Sequence, residues 1–213
     1  MNPTPSETLA AIAALIVLFA LAIYFGLRVR KKNFAENLDL HAADIWPQLQ
    51  DSASNFSDLL YGVWQDFSST EVGMIVRDCR DQKVGKIVYR MIARQGCVAI
   101  ETPNGIFETD SLPTLRESLS LRPANDGSQS LCDFTRLAGG TYRFDAKSFG
   151  ILESKPPRGL RIAPVFSYTL NGNPVGASRH IGGWSDRGRM LVLPQQLPLP
   201  IRIFVLAVQR QRA

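Results

Sequence analysis

From Leu9 to Leu27 the chain carries no charged residue, and Arg28, Arg30, Lys31 and Lys32 follow almost at once. No other feature limits the fold as much. Nineteen residues at about 1.5 Å each reach about 28 Å as a helix, close to the roughly 30 Å hydrocarbon core of a bilayer. A helix also pairs its backbone groups internally, as lipid requires. The run therefore predicts a single transmembrane helix at 9–27. A cleaved signal peptide fits less well, since the first 27 residues hold no Lys or Arg and one acid, Glu7.

The basic cluster sets an orientation. Arg28, Arg30, Lys31 and Lys32 place the following chain on the cytoplasmic side and residues 1–8 on the other side. The alternative role for these four side chains is contact with anionic lipid. The reading is thus a single-pass membrane protein with a cytoplasmic C-terminal domain. Cys79, Cys97 and Cys132 are odd in number and form no CxxC pair. They suggest neither a disulfide framework nor a thiolate metal site.

Residues 28–70 read as a basic juxtamembrane segment and a helical connector. Phe34 to Trp46 is a weak helix ended by Pro47. Phe56, Leu59, Leu60, Val63, Trp64 and Phe67 fall at helical spacing and predict an amphipathic helix capped by Ser54 or Asn55. His41 and His180 are too far apart in sequence to suggest a metal site.

Residues 71–213 read as a β-rich domain. Val72–Arg77, Lys83–Ile92, Cys97–Glu101 and Ile106–Glu108 are short apolar runs separated by turn residues, the grammar of an antiparallel meander. Further strands are expected within Ser118–Arg122, Leu131–Leu137, Thr141–Phe144, Phe149–Ser154, Leu160–Leu170 and Val175–His180. A short repeat runs through this region. DQKVGKIVYR from Asp81 and NGNPVGASRH from Asn171 each place a polar turn ahead of Val-Gly. The turn reverses the chain, the valine enters the core, and the glycine permits a bulge or close strand crossing. Asp81, Gly85, Asn171, Gly172 and Gly176 are accordingly structural turn residues.

The last apolar segment, Ile201 to Val208, follows Pro198 and Pro200 and precedes Arg210 and Arg212. It reads as a buried helix too short to span a bilayer, with a final β-strand as the alternative. The repeat, the many hairpins and this terminal segment resemble the tubby C-terminal-like superfamily, which includes the LURP-one-related and phospholipid scramblase proteins. The resemblance covers about residues 71–210. It implies a closed antiparallel barrel of some twelve strands around a C-terminal helix; the alternative is an open sandwich, or a barrel with a terminal strand. It also implies a link to anionic phospholipid. The chain departs from scramblases in its N-terminal apolar run and in lacking a calcium-binding loop pattern.

No catalytic constellation emerges. Phosphate-cradling glycine motifs are absent, Ser178 and His180 have no third orienting group, and Cys97 on an apolar strand reads as buried and inert. Trp184, Arg187 and Arg189 form a basic contact loop, read as an exposed hairpin tip. No metal, cofactor or catalytic residue is expected, and nucleic acid is not an expected partner. The net charge of +5 suits an anionic surface. The resulting expectation is a non-enzymatic, membrane-anchored binding or scaffold protein that presents its β domain to a membrane-protein partner or complex at the lipid bilayer. The alternative is an anionic-phospholipid-binding or scramblase-like protein.

Overall fold

The computed structural model describes residues 12, 14–21, 24, 28, 36–37, 39–52, 55–68, 71–92, 95–112, 117–126, 129–155, 164–182 and 187–209. The chain divides into two units, residues 1–39 and 40–213. In the first, residues 14–21 are helical, a stretch of about 12 Å at 1.5 Å per residue. Among the described residues no helix is long and apolar enough to cross a membrane. This corrects the transmembrane helix expected at 9–27. The single-pass topology, the cytoplasmic placement, and the scaffold with its bilayer and membrane-protein partners all rested on that span, and they fall with it. Arg28 is helical and exposed, while Arg30, Lys31 and Lys32 lie outside the described residues.

The second unit holds twelve strands in one closed antiparallel barrel. They are β1 (Leu59–Asp66), β2 (Glu71–Asp78), β3 (Lys83–Ile92), β4 (Gln95–Thr102), β5 (Gly105–Thr109), β6 (Ser118–Pro123), β7 (Cys132–Arg136), β8 (Tyr142–Asp145), β9 (Ile151–Lys155), β10 (Phe166–Leu170), β11 (Asn173–Ile181) and β12 (Gly188–Val192). Each strand pairs with its sequence neighbour. The barrel closes where β1 meets β12, with Leu59 opposite Val192 and Gly62 opposite Arg189. Closure leaves no strand edge exposed. Three short elements precede it, α1 (Ala42–Ile45) and the 3₁₀ turns Trp46–Gln48 and Phe56–Asp58, and α2 (Leu199–Val208) follows.

Helix α2 fills the barrel. Pro200 stands in its first turn, where the missing N–H costs nothing. Ile201 and all residues from Ile203 to Val208 are buried, packed in one cluster with wall residues such as Met74, Ile87, Ile100, Phe134, Phe144 and Leu191. A helix that is apolar almost all round is stable only when enclosed. That enclosure is why this segment is a helix and not a thirteenth strand: a strand would need a pairing edge, and the closed barrel has none.

Two strands correct the sequence reading. Of the amphipathic helix expected over Phe56–Phe67, only Phe56–Asp58 is helical, a 3₁₀ turn capped by Asn55, and Leu59–Asp66 is β1. Both its faces are covered: Leu60 belongs to the interior cluster, while Leu59, Tyr61 and Val63 pack on the outside with Ala42, Ile45 and Leu49. A strand buried on both faces reads as a continuous apolar run, which a helical stripe can mimic. The exposed hairpin tip expected at Gly182–Arg189 is likewise corrected at its end. Gly188 and Arg189 open β12, whose five residues are all buried.

Candidate functional site

The two repeat units occupy equivalent hairpins. Asp81 and Asn171 both have positive φ, 62° and 50°, and each turns the chain into its second strand. Gly172, at φ 86°, completes the second turn in a region that favours glycine. In the first hairpin Val76 faces Gly85 and Arg77 faces Lys83, so Val84 is an extra residue. In the second, Tyr168 faces Gly176 and Thr169 faces Pro174, so Val175 is the extra residue. Both are β-bulges, with the bulged valine packed against the interior cluster. The following glycine is required by close approach in each case. A Cβ on Gly85 would lie 2.6 Å from Ile203 Cδ1 of α2, and one on Gly176 would overlap the Val192 carbonyl oxygen.

The bulges differ in what they carry. Lys83 precedes and Lys86 follows Val84-Gly85; the equivalent positions beside Val175-Gly176 are Pro174 and Ala177. The bulge geometry therefore does not need lysines. At the first bulge they line a recess of about 260 Å³ with Val84, Gly85, Glu101, Thr102 and Pro103. Lys83 is exposed and Lys86 partly buried. The Lys86 ammonium sits 3.8 Å from a Glu101 carboxylate oxygen and 4.1 Å above the Phe67 ring centroid. Ile106, the cross-strand partner of Glu101, is 49% exposed. The recess is below the roughly 300–1,000 Å³ of pockets that enclose a drug-sized ligand. It suits a small anionic group, not an acyl chain.

Arg189 behaves differently from the expected contact loop. Its side chain turns into the barrel, where Nη1 donates to the carbonyls of Ala207 (2.7 Å) and Leu206 (3.0 Å) at the end of α2. The Tyr89 hydroxyl donates to Ala207 as well, at 2.8 Å. The guanidinium lies 5.3 Å from the Trp64 ring centroid. A cation at a helix C-terminus meets the carbonyl groups the helix cannot pair itself. Beside it, Gln209 Nε2 donates to the Tyr168 hydroxyl, which contacts Ser178 Oγ, each at 3.0 Å. Burial pushes the Tyr168 hydroxyl up to about 12, so it stays protonated. Arg187 is partly buried, and its carbonyl accepts from the Trp64 amide. Trp184 lies outside the described residues. Arg187 and Arg189 thus do not converge on one exposed surface.

A third cluster surrounds Asp133. It accepts from Ser120 and Ser130 at 2.7 Å each and from Lys147. Asp145 stands directly across the ladder from Asp133, and Lys147 lies 3.8 Å from Asp145, so one ammonium relieves the repulsion of two facing carboxylates. Among the described residues no group of three His, Cys, Asp or Glu side chains is placed to hold a metal ion.

No protein-family model, curated protein or solved structure matches this chain. The fold therefore rests on the architecture itself, a closed twelve-stranded antiparallel barrel in contact with a C-terminal helix. Sequence reasoning named Gly85 and Asp81 but not Lys83 as a site residue. The signal that singles out Lys83 and Lys86 is the comparison of the two repeat units.

Proposed function

We propose that this protein is a non-enzymatic barrel that binds anionic phospholipid head groups through the Lys83–Lys86 bulge. The observation that carries the reading is the pair of cations on one bulge and their absence from its structural equivalent. Two ammonium groups with one carboxylate leave the recess net positive. The Lys86–Glu101 contact is long and partly solvated, so an entering phosphate displaces it at little cost. The exposed Ile106 beside the recess gives an apolar contact next to a bound head group. The barrel around a C-terminal helix is consistent with the tubby C-terminal-like class and its link to phospholipid. Because α2 and its apolar contacts fill the interior, the reading is surface binding and not passage of a lipid through the barrel.

Flotation with phosphatidylserine-containing vesicles, against phosphatidylcholine alone, tests it. Each basic residue near an anionic surface contributes about 1 kcal/mol. Lys83→Glu with Lys86→Glu should therefore lower the vesicle partition at least about tenfold, and binding should weaken with added salt. Equal partition of the wild type onto both vesicle types refutes the reading.

A further inference from the structure

The outer wall of the barrel seam is covered by ten residues of the same chain. Ala42, Ile45 and Leu49 pack against Leu59, Tyr61 and Val63 of β1, Ala177 and Ile181 of β11, and Met190 and Val192 of β12. This cluster shares no buried residue with the interior core around α2. The strands close on each other beneath it, so the barrel ladder is complete without the covering segment.

The polar attachments of this cover converge on one carboxylate. Asp81 Oδ1 accepts from the Ala42 amide at 2.7 Å and from the Tyr61 hydroxyl at 2.6 Å. The other oxygen, Oδ2, lies 3.0 Å from His41 Nδ1. Three further ties flank it: the Tyr61 hydroxyl and Arg77 Nη1 lie 3.2 and 3.3 Å from the Leu40 carbonyl oxygen, and Arg179 Nη1 donates to the Gln48 carbonyl at 3.1 Å. The turn that carries Asp81 is fixed separately, by Asp78 Oδ1 accepting from the Arg80 and Gln82 amides. The latch residue therefore stays in place whether or not the cover is docked.

We propose that residues 40–49 form a latched strap that opens as one unit from an intact barrel, with the Asp81 carboxylate as its latch. An element with its own small apolar cluster and few polar ties opens at a free energy below that of global unfolding. Opening uncovers the apolar stripe Leu59, Tyr61, Val63, Met190 and Val192 without disturbing α2. The opening is independent of the Lys83–Lys86 recess proposed above.

Amide hydrogen exchange on the full chain tests this. In the wild type the Ala42, Asp44, Leu49 and Gln50 amides should exchange together, and faster than those of Met190 and Leu191. Asp81→Asn removes the charge that Ala42, Tyr61 and His41 share, and leaves one acceptor oxygen where the carboxylate has two. It should speed strap exchange by at least about tenfold, since a hydrogen bond to a charged group is at stake, and leave β12 and α2 amides unchanged. Tyr61→Phe removes the hydroxyl that contacts both Asp81 Oδ1 and the Leu40 carbonyl without altering charge, and should speed the same amides. Strap amides that exchange only with the barrel core, in the wild type and in both variants, overturn the proposal.

Discussion

Arg189 Nη1 lies 2.7 Å from the carbonyl oxygen of Ala207, joining the strand that closes the barrel to the end of the helix inside it. The pair explains how a charged residue comes to face an apolar interior. Its charge is met by the carbonyl end of α2 and by the Trp64 face, and the helix in turn gains a donor for its Leu206 and Ala207 carbonyls.

Removing this cap exposes its contribution. Arg189→Leu leaves the Leu206 carbonyl without its side-chain donor in a buried setting, while Ala207 keeps the Tyr89 hydroxyl, at about 1–3 kcal/mol for an unsatisfied group. Urea denaturation should show a loss of about 1–3 kcal/mol. Arg189→Lys should recover part of it, because an ammonium supplies charge but reaches fewer acceptors at once.

The Gly85–Ile203 approach makes a sharper test of how the helix seats. Gly85→Ala drives a methyl group toward Ile203 Cδ1 and the Glu101 carbonyl oxygen and should cost about 1–3 kcal/mol. Ile203→Val removes Cδ1. Its own cost of about 0.5–1.5 kcal/mol should shrink in the Gly85→Ala background, and a double-mutant cycle reads that coupling. Strict additivity would mean the two residues do not touch.

Acidification should loosen two named places. Burial raises the carboxyl of Asp81, but hydrogen bonds from Tyr61, the Ala42 amide and His41 outweigh it, and the group is held below the usual carboxylate range. Asp78 holds the turn beneath it, its carbonyl accepting from the Asp81 amide. Asp133 is likewise pushed up by burial, then held low overall by Lys147, Ser130 and Ser120. Groups with depressed folded values stabilise in full above the unfolded carboxylate range, near pH 4, and lose that contribution as pH falls through the lower folded value. Asp81→Asn and Asp133→Asn should each flatten the acid limb of a stability-versus-pH curve.

Cys132 should be inert in the native protein. Its side chain is buried, and burial, with the charges of Asp133 and Asp145, pushes the thiol up to about 12. Thiolate is the reactive form. Iodoacetamide at pH 8 should leave Cys132 unmodified until denaturant is added.

Much of the barrel was legible in the sequence because its strands alternate between β-branched runs and turn residues. The two Val-Gly units were legible too, since a bulge needs a small residue beside the extra one. Three things were hidden, each for a physical reason. β1 is covered on both faces, by α2 within and Ile45 and Leu49 without, so its apolar residues lack the alternation of a half-exposed strand. β12 begins with Gly188-Arg189, residue types common in loops, and the helix end that neutralises Arg189 is distant in sequence. The recess at Lys83 and Lys86 depends on the bulge bringing β3 beside Thr102 and Pro103. The apolar run at 9–27 satisfied a length criterion, but the described residues there form no helix long enough to cross a membrane.

The most direct measurement is a map of backbone amide shifts in the full chain during titration with soluble glycerophosphoserine, the head group without its acyl chains. Binding at the bulge should move the Lys83, Gly85, Lys86 and Thr102 amides in a saturable way, leave Ala177 and Gly176 of the second bulge unmoved, and vanish in Lys83→Ala with Lys86→Ala. Saturable shifts elsewhere that persist in that double variant, or no shifts at any concentration, would contradict anionic head-group recognition at this site.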